Sequence, residues 1–315
     1  MRIVVLVGGI GGARFLMGVR RLPAEVTAIV NTGDDVTLHG LRICPDLDSV
    51  MYTLGGGADP DRGWGRADET WTVSTELAAH DAEAPWFSLG DKDIATHLIR
   101  TRMLDAGYGL RSVTEALCRR WNPGVDLLPM SDDRVETHAI VTEDGERRAI
   151  HFQEWWVRHR GDIDTDSFVF TGAAQATPGP GVIEAIETAD AVLVAPSNPV
   201  VSIAPILAVP GIREALRDTS GKVAGVSPII GGAPVRGMAD RCLEVLGQPV
   251  TAQAVGRMYG SRSDDGVLDG WLVDETDSDT FIEGLPVKAA PLWMSSPEAT
   301  EAMARAALAL VGVTP

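Results

Sequence analysis

Two aspartates two positions apart, in Cys44-Pro45-Asp46-Leu47-Asp48, stand immediately before the apolar-rich stretch Val50-Met51-Tyr52-Thr53-Leu54. Pro45 suits the first turn of a helix, and acidic residues in that turn stabilise it through capping and the helix dipole. The same carboxylates have a second use. Mg2+ is a hard cation that takes one or two carboxylates together with substrate phosphates, so Asp46 and Asp48 are candidate metal and catalytic residues.

A second polar group follows. Leu89-Gly90-Asp91-Lys92-Asp93 leads into Ile94-Ala95-Thr96-His97-Leu98-Ile99-Arg100, where helical spacing puts Asp93, Thr96, His97 and Arg100 on one face. An ordinary Asp–His pair on a solvated helix explains it. Alternatively Lys92, Thr96 and His97 offer hydrogen-bond donors to a polar ring or a phosphate.

Glycines supply the third kind of chemistry. In Gly8-Gly9-Ile10-Gly11-Gly12-Ala13-Arg14, missing Cβ atoms let a phosphate approach backbone N–H groups. The run fits neither standard fingerprint: Arg14 stands where the third glycine of GxGxxG would be, and GxxxxGK[ST] is absent. Gly9, Gly11 and Gly12 are the candidate phosphate contacts. Ser197, Asn198 and Ser202 form another small polar group and Ser227 to Gly232 with Gly231 a further one, while Arg236, four residues past Gly232, reads either as a phosphate contact or, more commonly for a lone arginine, as a surface residue. Met130-Ser131-Asp132-Asp133 reads as a capped turn. No GxSxG nucleophile elbow occurs, so a covalent serine mechanism is not indicated.

These groups need elements to position them. Residues 2 to 7 form an almost unbroken apolar run, which reads as a buried strand opening into the glycines, with a helix through Arg21 behind it. A second strand, Val26 to Val30, ends on Asn31-Thr32-Gly33-Asp34-Asp35. Helix Val182 to Thr188, strand Ala191 to Ala195 and strand Lys222 to Val226 repeat the pattern, each strand emptying into small and polar residues. The expected fold class is α/β, a Rossmann-like, doubly wound, mainly parallel sheet whose strand ends converge on one crevice.

Between the two series the texture changes. Helices around 93 to 106 and 111 to 121 precede a hairpin at Glu143-Asp144-Gly145-Glu146 and the pair Trp155-Trp156. Residues 132–170 are expected to be an inserted subdomain covering the crevice, with 1–131 and 171–315 as the nucleotide-binding core. A simple β extension of the main sheet is the alternative. The closing helix, Pro297 to Leu310, should pack on the sheet.

Composition bounds the partners. Forty-four acidic against 27 basic residues give a formal charge of −17, which opposes attraction to nucleic acid or an anionic membrane, so any anionic ligand must be held locally. The three cysteines, Cys44, Cys118 and Cys242, are isolated and support neither a disulfide framework nor a zinc site. With no stretch of about 20 apolar residues, the expectation is a cytoplasmic protein.

Taken as an ordered series, the GGxGGAR start, Asn31 to Asp35, Ile43 to Asp48, Leu89 to Asp93 with Ala95-Thr96-His97, Leu128 to Asp133, His151-Phe152-Gln153-Glu154, Pro196 to Pro199 and Ser227 to Ile230 resemble the CofD/FbiA family of coenzyme F-420 biosynthesis. The resemblance covers residues 1 to about 240, and the C-terminal segment, including Asp269-Gly270-Trp271-Leu272-Val273, looks like the actinobacterial branch. It implies a Mg2+-dependent transferase that joins a phospho-acid, carried on guanosine diphosphate, to FO, a deazaflavin alcohol, with release of GMP. Regions around Trp64, Trp71 and Gln153 to Trp156 favour the enolpyruvyl over the lactyl donor. By the same resemblance Mg2+ falls to Asp46 and Asp48; FO to Asp48, Lys92, Thr96 and His97; and phosphate and guanosine to Gly9, Gly11, Gly12, Ser197, Asn198, Ser227 and Gly231. The family often has Arg at the Lys92 position, so a bidentate contact is weakened there. A homodimer is expected. The rival readings are a YvcK-like, non-enzymatic nucleotide-sugar sensor, which should lack the Cys-Pro-Asp-Leu-Asp element, and a nicotinamide-dependent oxidoreductase, which the broken GxGxxG disfavours.

Overall fold

The computed structural model describes residues 1–80 and 86–315. Its centre is set by the first strand, β1 (Arg2–Val7). Apart from Arg2 every residue of β1 is buried, and successive side chains point to opposite faces. Val4 and Leu6 enter one apolar cluster, while Ile3, Val5 and Val7 enter another. A strand apolar on both faces must lie inside a sheet covered by helices on both sides.

The other strands of this sheet are β2 (Glu25–Val30), β3 (Asp126–Pro129), β4 (Ala191–Val194), β5 (Lys222–Val226), β6 (Gly270–Val273) and β7 (Val287–Ala289). They lie in the order β7-β6-β5-β4-β1-β2-β3, seven strands with every pairing parallel. Strand β1 is flanked by β2 and β4, with Ile3 facing Val26 on one side and Ala191 on the other. The direction of winding reverses there. That reversal is the topological switch point, where ligands bind in sheets of this kind. The doubly wound parallel sheet expected from the sequence is the observed fold.

Strand β5 and the helices Val182–Thr188 and Pro297–Leu310 have the bounds expected from the sequence, whereas β4 stops at Val194 and the first helix at Val19. The closing helix lies against the first one at Gly18, where a Cβ would collide with the backbone of Thr300 and Glu301. Strands Glu136–Glu143, Glu146–His151 and Thr165–Thr171 form a separate antiparallel sheet. The β extension of the main sheet therefore does not occur. Asp144 and Gly145 turn its hairpin with φ 53° and 80°, the left-handed conformations of a tight two-residue turn. Its buried residues Ala139, Val141, Ile150 and Trp155 belong to the same cluster as Val4 and Leu6, so this region shares the main core. No single helix among the described residues is long and apolar enough to cross a membrane.

Two hydrogen bonds tie the small sheet to the end of β2. Thr137 N donates to Gly33 O at 2.7 Å. The His151 ring accepts from Gln153 N at Nδ1 and lies 3.2 Å from Asp35 O through Nε2, which fixes a neutral imidazole with its proton on Nε2. Burial pulls this imidazole down from 6.5 to about 4, against the opposing charge of Glu136. A histidine depressed in the folded state contributes stability above its unfolded value, and that contribution is lost as pH falls from about 6.5 toward 4. The melting temperature of the parent should therefore fall more steeply over this interval than that of His151→Gln. Parallel curves from calorimetry would show that the tie does not depend on a neutral ring.

Candidate functional site

The glycine run is the start of a helix. Gly9–Val19 becomes helical directly after β1 and Gly8, with Gly9 at φ 63°, so the sequence expectation of a loop before the helix is corrected. Glycine is needed because three elements crowd this point. A Cβ on Gly8 would lie 2.6 Å from Asp46 Oδ2 and 2.6 Å from Ser202 Cβ, one on Gly11 2.9 Å from Pro196 O, and one on Gly12 2.7 Å from Ser197 Oγ. The Ser197 hydroxyl closes the seam, accepting from Gly8 N at 3.2 Å and donating to Gly8 O at 2.8 Å. Gly9, Gly11, Gly12 and Ser197 are thus brought together at the switch point.

Opposite them lies helix Pro45–Leu54, with Pro45 in its first turn as expected. Residues two apart on a helix point to different sides, and Asp46 and Asp48 do so. Asp46 faces the glycines and accepts from Asn31 Nδ2 at 2.9 Å. Asp48 faces helix Asp91–Asp105, where Arg100 binds both carboxylate oxygens, one through Nη1 at 3.1 Å and the other through Nη2. The helix thus sends the two carboxylates to separate neighbours.

Around Asp48 a counter-charge is present. Asp48, Thr96, His97 and Arg100 are each no more than 5% exposed, so the reading of a solvated helix face fails. His97 Nδ1 lies 3.7 Å from Asp48 and 3.1 Å from Arg100, and its Nε2 lies 3.6 Å from Asp93. The Tyr52 hydroxyl donates to Asp93 at 2.6 Å. Burial pushes Asp93 up, but the hydrogen bond and charge of His97 hold its carboxyl below the usual range. Burial works against the Arg100 charge too, and Asp48 more than offsets it. Ligand atoms of Asp48, Asp93 and His97 all lie within 4.8 Å of one another, close enough to hold a metal.

Around Asp46 the charges do not balance. Asp34 and Asp46 are 5% and 4% exposed, Asp35 is fully buried, and the Asp34 Oδ1, Asp35 Oδ1 and Thr32 hydroxyl oxygens have no hydrogen-bond partner. Burial raises Asp46 to about 6, despite hydrogen bonds from Asn31 and the Gly9 backbone. Burial and then the charge of Asp46 push Asp34 well above the carboxylate range. Asp35 is pushed up by burial but has partners in Arg42 at 2.9 Å and the Cys44 thiol at 3.0 Å. Two buried carboxylates without a cation are costly.

The remaining expected residues are placed differently. Lys92 is exposed and its Nζ donates to Ala67 O at 3.0 Å. The Asn198 side chain caps a one-turn π-helix, Pro199–Ile203, by accepting from Val200 N and Val201 N. Ser227 Oγ is used within its own turn by Ile229, and Gly231 N donates to Asp277. Sequence reading took Asn31, Asp34 and Asp35 as turn chemistry and as part of the family series, with no site role assigned to them. Their position at the end of β2, beside the switch point, was the available signal; Arg100 was visible only as a member of a helix face.

Comparison with known proteins bears on this geometry. The family model for 2-phospho-L-lactate transferase CofD matches residues 3–289. The phosphoenolpyruvate transferase of Mycolicibacterium smegmatis is 62% identical, covering 100% of both chains, and that of Nocardia farcinica is 63% identical, covering 99% of this chain and 95% of its own. In three dimensions the chain is similar to a crystal structure of a UPF0052 family member from Bacillus halodurans, with a TM-score of 0.62 and 18% identity over 98% of each chain. At that identity the likeness concerns the fold.

The buried Asp48–Arg100 pair generates a stability prediction. Arg100→Met leaves Asp48 as an unpaired buried charge and should cost about 3–5 kcal/mol in denaturant unfolding. Adding Asp48→Asn to that variant should recover part of the loss. Additive losses in the double variant would show that the two side chains are not energetically coupled.

Proposed function

Because the chain belongs to the CofD family of 2-phospho-L-lactate transferases, we propose that this transferase of coenzyme F-420 biosynthesis moves a phosphoenolpyruvyl group from its guanosine diphosphate conjugate to the terminal hydroxyl of FO. The enolpyruvyl donor is preferred because relatives about as similar as 62% carry phosphoenolpyruvate transferase as their name. In the reaction the hydroxyl oxygen forms a bond to the phosphorus that bears the acid, the bond from that phosphorus to GMP breaks, and the hydroxyl proton is released.

The observation that carries this reading is the uncompensated pair Asp34 and Asp46 against the glycine-lined helix start. Transfers of this kind depend on alignment and charge neutralisation more than on covalent help. The family implies a divalent cation, and the donor set fits one: two buried carboxylates, an unpartnered carboxylate oxygen and an unpartnered hydroxyl, all hard oxygen atoms. Asp34 and Asp46 would hold Mg2+, which when bound neutralises phosphate charge. The Asp48, Asp93 and His97 group suits it less, because Arg100 already occupies both oxygens of Asp48.

The chain's own residues do the rest. Backbone N–H groups in the first turn of Gly9–Val19, apart from that of Gly9, which Asp46 already accepts, would receive phosphate oxygens. Ser197 fixes that turn to the end of β4. Asp48, Thr96 and His97 would form the FO-facing wall of the crevice, with Arg100 holding Asp48 and His97, while Lys92 would reach FO only after leaving Ala67. The small antiparallel sheet abuts the end of β2 and would shield the site from water. Assembly as a homodimer and action in the cytoplasm belong to the same proposal.

A transfer assay with purified protein, Mg2+, FO and each of the two guanosine-diphosphate-linked acids, read by mass spectrometry, tests it. Dehydro-F-420-0 and GMP are expected from the enolpyruvyl donor. Product from the lactyl donor alone would move the donor assignment, and nucleotide binding without transfer would favour the sensor. Asp46→Asn should lower kcat by about 100-fold or more, while in metal-free buffer at pH 7 its melting temperature should equal or exceed the parent's. The sign follows from Asp46 being raised to about 6: the stabilising protonated form is lost as pH rises through that value, and asparagine is never ionised. Unchanged kcat would remove Asp46 from the reaction.

A further inference from the structure

Asn31 stands just past the end of β2 and is fully buried. Its backbone N–H donates to Val7 O at 2.9 Å, which carries the pairing with β1 one residue beyond the strand. The side chain then ties three further segments together. Nδ2 donates to Asp46 Oδ2 at 2.9 Å, in the first turn of helix Pro45–Leu54, and lies 3.3 Å from Val201 O, in the one-turn π-helix Pro199–Ile203 that follows β4. Oδ1 accepts from Gly33 N at 2.8 Å and closes a local turn. Both groups facing Nδ2 are acceptors and the one facing Oδ1 is a donor, so an amide satisfies them in one orientation only.

The turn closed by Oδ1 is tightly packed. A Cβ on Gly33 would lie 2.8 Å from Thr137 Oγ1 and 3.0 Å from both Asn31 Oδ1 and Pro205 Cβ. Thr32 and Asp34 flank that glycine, and each has a buried oxygen without a partner. One end of the amide thus shapes the turn that carries Thr32 and Asp34, and the other end stops the Asp46 carboxylate from rotating. A carboxylate oxygen that accepts one hydrogen bond keeps a second lone pair, so holding Asp46 orients it without using it up.

We propose that Asn31 is the positioning residue of the cation site: it holds Asp46 against the glycine-lined helix start, while the turn it closes carries Thr32 and Asp34. This inference rests on the assignment of Mg2+ to Asp34 and Asp46 above. Asn31 acts through Asp46 and touches no reacting atom. Removing such a partner of a metal ligand typically costs about 10- to 100-fold in metal affinity.

Two variants separate the two ends of the amide. Asn31→Ala removes both. Asn31→Ser keeps an oxygen that accepts from Gly33 N, as serine does in turns of this kind, and ends one bond short of the Nδ2 position. The parent and each variant, as full chains, would be assayed for transfer across a Mg2+ series, and their melting temperatures measured with and without Mg2+ in the absence of substrates. Both variants should need about tenfold or more Mg2+ for half-maximal rate, and the rise in melting temperature that Mg2+ gives the parent should shrink in both. A merely structural role would lower the metal-free melting temperature and leave both Mg2+ responses as they are, which would overturn the proposal. An Asn31→Ser chain matching the parent would overturn it too, because the turn alone would then suffice. Should Asn31→Ala fail to fold, Asn31→Ser carries the test. If the parent performs no transfer, the transferase reading falls and the melting temperatures still decide the role of Asn31. A parent that transfers but responds to Mg2+ in neither measurement would remove the cation assignment together with this inference.

Discussion

A side chain at residue 8 would occupy the space where the end of β1 meets Asp46 and Ser202. Much of the site's geometry follows from that close approach. Because Gly8, Gly11 and Gly12 carry no Cβ, the first turn of the helix after β1 can sit against Pro196 and Ser197 at the end of β4, while helix Pro45–Leu54 brings Asp46 to the same point. The parallel sheet supplies the direction, since strands wound outward from β1 both ways open their carboxyl ends on one side. The glycines supply the distance.

Charge is distributed on this frame in two different states. On one side of helix Pro45–Leu54, Asp48 and Arg100 neutralise each other in a buried and hydrogen-bonded contact, with His97, Asp93 and Tyr52 completing the network. That arrangement fixes a wall. On the other side Asp34 and Asp46 are buried with oxygen atoms to spare and with burial acting against their ionisation. Asp46 lies against the glycine-lined turn, whereas Asp48 and Arg100 lie on the other side of the helix.

The relation between Asp46 and Asp48 shows where linear reading stops. Both stand in Cys44-Pro45-Asp46-Leu47-Asp48, and proximity in sequence suggested a shared ion. A helix turns 100° per residue, so neighbours two apart diverge, and which partners they find depends on the segments that pack on each side. Asn31 lies 15 residues from its partner Asp46, and Arg100 lies 52 from Asp48. Ser197 and Gly8 are separated by 189 positions. Asn198 and Ser227 looked equally available in the sequence, yet backbone geometry assigns their side chains to local turns.

The sequence by itself determined the fold class, the central place of β1, the limits of helix Pro297–Leu310 and strand β5, and the family, because apolar runs, turn residues and an ordered series of motifs are local properties of the chain. Tertiary structure alone decided that Asp48 is neutralised by Arg100 and Asp46 is not, and that the small antiparallel sheet stands apart from the main one. Each of these is a contact between elements far apart in the chain. Their energies come from burial and from charges brought close in a low-dielectric interior, quantities that have no value until the chain is folded.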